Sequence, residues 1–124
     1  MNKHKEISSR ELSEIVVRGM LEKKAKNIVV MDLKNVKNSV ADYFIICSGN
    51  SDTQVDSIST SIDQEVYKES KQNPWHKEGF QNKEWVLLDY VDVVAHVFLR
   101  DKREFYDLEN LWGDAVTTTI EESL

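Results

Sequence analysis

The chain is poor in the residues that mark stapled, fibrous or membrane-spanning proteins. Its 124 residues include one cysteine, Cys47, so no disulfide can form within the chain, which suits a reducing compartment, the cytoplasm. One proline, Pro74, and four glycines exclude collagen-like and low-complexity sequence. No apolar run approaches the ~18 residues of a membrane helix. The start, with Lys3, His4, Lys5 and Glu6, has no apolar stretch of the kind a secretory signal carries. Metal-ligand spacings are also missing: His4, His76 and His96 lie far apart, and neither Cys-x-x-Cys nor His-x-x-x-His occurs, so neither metal nor other cofactor is expected. What remains is 40% hydrophobic and 31% charged, enough to build one core without staples. The expectation is one domain over residues 1–124, with a core of about residues 8–113 and frayed ends, the tail from Asp114 included.

Charge is uneven. The net charge is -6, and the acidic surplus is C-terminal: residues 1–62 hold nine Lys/Arg and eight Asp/Glu, residues 63–124 seven and fourteen. Such a chain gains little from counterion release on a phosphate backbone, so direct nucleic-acid specificity is not expected, and room is left for a basic protein as partner. Solubility alone also accounts for the acidity.

Ser8 and Glu11 form a capping box ahead of Leu12, Ile15, Val16, Gly19 and Met20 at helical spacing, which predicts a first amphipathic helix. The β-branched runs NIVVMDL (residues 27–33) and DYFIICS (residues 42–48) read as buried strands. Gly49, Asn50 and the Ser51/Gln54 capping pattern then open a second helix that ends near Ser70, and residues 75–80 form a short edge strand after Pro74. EWVLLDY (residues 84–90) and VVAHVFL (residues 93–99), separated by Val91 and Asp92, have the spacing of a tight hairpin. Pairing Tyr90 with Val93, Leu88 with Ala95 and Val86 with Val97 makes those six residues one face, which reads as core. The other face, Trp85, Leu87, Asp89, Val94, His96 and Phe98, has the mixed character of an open interaction surface. Asp101 caps a last helix in which Phe105, Leu108, Leu111 and Trp112 share a face, stopped by Gly113.

Catalytic signals are weak. The turn Ser48-Gly49-Asn50-Ser51-Asp52 between strand and helix offers backbone N–H groups to a phosphate, and Asp89 with Asp92 offers carboxylates to a divalent cation. Yet no lysine completes a P-loop, no three-glycine fingerprint is present, and turn and cap chemistry accounts for these residues. Cys47 and His96 on adjacent strands could meet as a nucleophile pair, although Cys47 within FIICS reads as a buried small hydrophobe.

Three stretches, DYFIICSGNSD (residues 42–52), EWVLLDYVDVVAHVF (residues 84–98) and REFYDLENLWGD (residues 103–114), closely resemble the ribosomal silencing factor family, RsfS or Iojap, in order and over most of the chain. The resemblance implies an α/β fold, a single small mixed β-sheet flanked by helices, with nucleotidyltransferase-like topology but without the catalytic carboxylates. It implies a translational repressor rather than an enzyme. Its partner would be large-subunit ribosomal protein fourteen on the large ribosomal subunit, where it would block small-subunit joining when nutrients are scarce. Homodimers are also implied. Carried over by position, the partner surface falls on Trp85, Tyr90, His96, Phe98 and Tyr106, with Asp89, Asp92 and Arg103 at its polar edge. The family usually has glycine where this chain has Val91, and a β-branched residue resists the positive φ that a two-residue primed turn needs. The alternative from another class is a nucleotide-binding or nucleotidyltransferase-like enzyme using residues 48–51 for phosphate and Asp89 and Asp92 for metal.

Overall fold

The computed structural model describes residues 7–121. The elements run α1 (Ser9–Glu22), β1 (Lys26–Asp32), β2 (Tyr43–Gly49), α2 (Asp52–Ser70), β3 (His76–Glu78), β4 (Trp85–Asp89), β5 (Val93–Leu99), α3 (Arg100–Tyr106), α4 (Leu108–Leu111) and β6 (Val116–Thr119). Among the described residues six strands form one mixed, open sheet in the order β3-β4-β5-β2-β1-β6. Of these pairings only β2 with β5 is parallel; the other neighbouring pairs are antiparallel. This is a small α/β domain with helices against the sheet.

Local chemistry sets the helix starts. Ser8 Oγ accepts from Glu11 N (3.1 Å) while Ser8 N donates to the Glu11 carboxylate (3.0 Å), the reciprocal box read from the sequence. Ser51 Oγ accepts from Gln54 N (3.1 Å), and the Gln54 amide reaches back to the carbonyls of Lys23 and Lys24, tying the start of α2 to the end of α1. The two helices lie side by side because Gly19 has no Cβ: an added Cβ would sit 2.8 Å from Ile62 Cα. Ser61 Oγ donates to Gly19 O (2.8 Å) at the same crossing.

Strand alternation divides the apolar residues between two cores. On the helix side, Val16, Met20, Ile58 and Ile62 pack on Ile45, Cys47, Val86, Leu88, Val93, Ala95 and Val97. On the other side, Val29, Met31, Phe44, Ile46, Val94 and Phe98 gather under Leu108. β2 is buried at all seven positions.

The hairpin has the register expected from its spacing: Val86 faces Val97 and Leu88 faces Ala95, and Tyr90 N donates to Val93 O (2.9 Å). Val91 accepts the left-handed conformation that the turn demands, φ +78°. Asp89 Oδ1 holds the turn by accepting from Val91 N (2.8 Å).

Two expectations are corrected. The tail from Asp114 does not simply fray, because β6 pairs with β1 from Asp32↔Val116 to Val29↔Thr119. Val-Thr-Thr-Thr is a β-prone edge strand with every residue exposed, so it carries no apolar alternation to betray it. The expectations for the extreme ends, residues 1–6 and 122–124, lie outside the described residues. The last helix is also two pieces: Asp107, at φ +51°, ends α3 and starts α4, and no side chain caps either start. Of the face expected there, Leu108 is buried and Trp112 half-buried, while Phe105 and Leu111 stand in solvent.

Val91→Gly is expected to stabilise the fold by about 1 kcal/mol, since relief of left-handed strain outweighs the added freedom of the unfolded chain. A thermal melt reads this as a rise in Tm of about 4 °C; an unchanged or lower Tm would show that the turn is unstrained.

Candidate partner-binding face

The sheet face opposite α1 and α2 carries the aromatic residues singled out in the sequence except Tyr90, and it is partly roofed. Phe98 is fully buried and His96 is 2% exposed. These two were expected on an open surface; the structure corrects this, because Phe44 and Ile46 flank them on β2 and α3–α4 folds over them. Tyr90 is also corrected: it is 5% exposed and belongs to the helix-side core, as the hairpin alternation requires. All three side chains are buried.

Trp85 is half-buried and central. Its indole stacks on Phe98 (centroids 5.0 Å apart, planes at 26°) and touches Tyr106 (4.9 Å), which in turn meets Phe105 edge-on (5.2 Å). Tyr106 is 40% and Phe105 77% exposed, so the aromatic run passes from floor to solvent over four rings. Leu111, 73% exposed, adds apolar surface from α4, and the half-buried Leu87 adds it from β4. Phe105 and Leu111 were missed as surface residues, since helical spacing turned them inward. The Asp107/Asn110 pair was the available signal: Asp tolerates left-handed backbone, and the Asn110 amide donates to its carboxylate at 2.8 and 3.0 Å.

Beneath the surface, Trp85 Nε1–H donates to His96 Nδ1 (3.0 Å). In neutral His96 the proton therefore sits on Nε2, which is buried with no hydrogen-bond partner among the described residues. Phe44 packs against the imidazole at 4.6 Å with planes at 67°. Burial holds the His96 pKa down to about 3, so the ring stays neutral in the folded protein.

Arg103 does not sit at a polar edge as a free cation. It donates two bonds to the Glu109 carboxylate (3.0 Å each), one to Asn27 O (2.6 Å) and one to Ser48 Oγ (3.0 Å). This clamp fixes α3–α4 to the ends of β1 and β2. Asp89 is half-buried and Asp92 exposed, both at the hairpin turn. Asp92 O accepts from Asp42 N (2.7 Å) and Tyr43 N (3.1 Å), docking the turn on the start of β2.

The groups weighed for catalysis are held apart. Asp92 sits beside the N-terminal end of β2, whereas Ser48 and Gly49 lie at its C-terminal end, about 20 Å away at ~3.3 Å per residue. Ser48 serves Arg103 and Ser51 caps α2. Cys47 and His96 point to opposite faces of the sheet, so they form no pair, and burial pushes the Cys47 thiol pKa far up.

His96 makes stability depend on pH with a defined sign. Its folded pKa lies below the ordinary 6.5, so unfolding takes up a proton in acid; the stabilisation is full above pH 6.5 and is lost as pH falls toward 3. Between pH 7 and 5 the wild type is expected to lose about 2 kcal/mol more than His96→Leu. Urea titrations at the two pH values measure this, and parallel losses would show that His96 is protonated in the fold.

A family model described as "Ribosomal silencing factor during starvation" matches residues 6–124. The ribosomal silencing factor RsfS of Halalkalibacterium halodurans is 40% identical over 115 residues, covering 93% of this chain and 97% of that protein. The RsfS of Bacillus subtilis is 40% identical over 109 residues, 88% of this chain and 91% of its own length. A crystal structure of a Chromobacterium violaceum protein has the same fold, with a TM-score of 0.80 at 30% identity over 86% of this chain and 88% of that one. On its sequence and its fold alike, the chain belongs to the ribosomal silencing factor family.

Proposed function

We propose that this protein is a cytoplasmic translational repressor that binds the large ribosomal subunit through large-subunit ribosomal protein fourteen and sterically blocks joining of the small subunit, above all under nutrient limitation. Membership of the silencing factor family supports a ribosome-associated translation regulator, a regulatory protein rather than an enzyme. The observation that carries the finer reading is the aromatic strip that α3–α4 leaves uncovered on the second sheet face. Trp85 and Tyr106 are its centre, Phe105 and Leu111 its outer apolar contacts, and Asp89 and Asp92 an acidic edge at the hairpin turn. Phe98, His96 and Arg103 support that surface from beneath, and Tyr90, in the core on the other face of the sheet, holds the hairpin that carries it. A steric mechanism calls for no cofactor, and the acidic C-terminal half suits a basic ribosomal protein. The whole chain acts as one domain, and a homodimer would be its storage form when the strip has no other partner.

Sedimentation with dissociated and joined ribosomal subunits tests the reading: the tagged protein is expected with free large subunits and absent from joined ribosomes. Equal recovery with both, or with small subunits, would overturn it.

Two variants separate surface from floor. Phe105→Ala is expected to keep its Tm, because the ring is in solvent, and to weaken large-subunit binding about tenfold. Phe98→Ala is expected to lose about 3–5 kcal/mol of folding stability. Melts paired with binding titrations check both, and unchanged affinity for Phe105→Ala would remove α3 from the contact.

A further inference from the structure

His96 is costly where it stands. It lies between Ile46 and Leu87 in the sheet and against Phe44 and Phe98, a site that an aliphatic side chain would fill without a polar atom to satisfy. Its Nε2–H is buried and unpartnered, which lowers stability. Core packing therefore does not account for a histidine here. Its one hydrogen bond does something specific: it takes the Nε1–H of Trp85, the half-buried indole at the centre of the strip. Trp85 sits on β4 diagonally across from His96, with Phe98 directly opposite it. Stacking on Phe98 sets the plane of the indole but leaves its two edges interchangeable by a flip about the side-chain torsions. A hydrogen bond at Nε1 selects one of the two.

We infer that His96 is the positioning residue of the docking face, its Nδ1 holding the Trp85 indole in the single orientation that the ribosomal partner meets. The inference rests on the docking reading above. It has a chemical consequence for the partner. The only hydrogen-bond donor of the indole is used inside the protein, so the pocket that receives Trp85 needs apolar surface for the six-membered ring and no acceptor for Nε1. Pre-setting the rotamer also removes an ordering cost from binding.

The test uses the full-length protein and asparagine, which places an amide where Nδ1 sits, against glutamine, which places it where Nε2 sits. In 15N-labelled protein, a scalar coupling across the hydrogen bond is expected between Trp85 Nε1 and His96 Nδ1. His96→Gln is expected to weaken binding to large ribosomal subunits about five- to tenfold, the worth of one lost orientation-setting bond, while His96→Asn keeps most of the affinity. In a Trp85→Phe background, which has no donor, the two substitutions are expected to bind alike. Absence of the coupling, equal affinity of the Asn and Gln variants, or the same Gln loss in the Trp85→Phe background overturns the positioning role. Wild-type protein that shows the coupling but does not bind large subunits overturns the docking reading instead, and the two failures are thereby told apart.

Discussion

The parallel pairing of β2 with β5 is the constraint from which the rest of the structure follows. Seven consecutive pairs, from Tyr43↔Val93 to Gly49↔Leu99, put both strands in the middle of the sheet, where each has a neighbour on either side and two faces to bury. The crossover through α2 covers one face, with α1 beside it. The other receives only α3 and α4, of seven and four residues. At ~1.5 Å per residue they span about 10 and 6 Å, whereas six strands at ~4.8 Å spacing make a sheet about 24 Å wide. They cannot roof it. Apolar side chains left at the rim of that roof are the surface that a partner can use.

Alternation and capping were legible in the sequence, and they carried the register of the hairpin, the starts of both long helices and the division of β4 and β5 into two faces. Alternation says which side of a sheet a residue is on; it says nothing of what lies above it. His96 and Phe98 were therefore assigned to the correct face and the wrong depth, because the roof over them comes from a segment whose helical period is broken at Asp107. Tyr90 was placed inward by the same alternation, and the structure agrees with the pattern rather than with the position carried over from the family resemblance. β6 escaped notice for the opposite reason: an edge strand exposed on every residue has no pattern to read.

Arg103 shows how little of a site is visible from residue type alone. An arginine in an acidic stretch suggests a surface cation for a partner, yet its side chain is 13% exposed and all its identified bonds are internal. The planar guanidinium meets Glu109 with two parallel bonds and still reaches Asn27 O and Ser48 Oγ, a geometry a lysine could not reproduce. Its effect on the exposed aromatic strip is indirect: it anchors the short helices that carry Tyr106, Phe105 and Leu111 to the strand ends.

An aromatic surface built on loose side chains would lose rotamer freedom each time it bound. Here the rings rest on one another in sequence: Phe98 is fully buried in the core, Trp85 lies against it, Tyr106 lies against Trp85, and Phe105 meets Tyr106 at its edge. Each ring restricts the next, so order is passed outward from the buried strand to the exposed helix. Folding then bears most of the entropy of ordering these rings, so a partner docking on the proposed face would pay little of it. The same logic explains why the polar groups of this face, the His96 imidazole and the Arg103 guanidinium, are turned inward: they hold apolar groups in place, and the outer surface is left to shape.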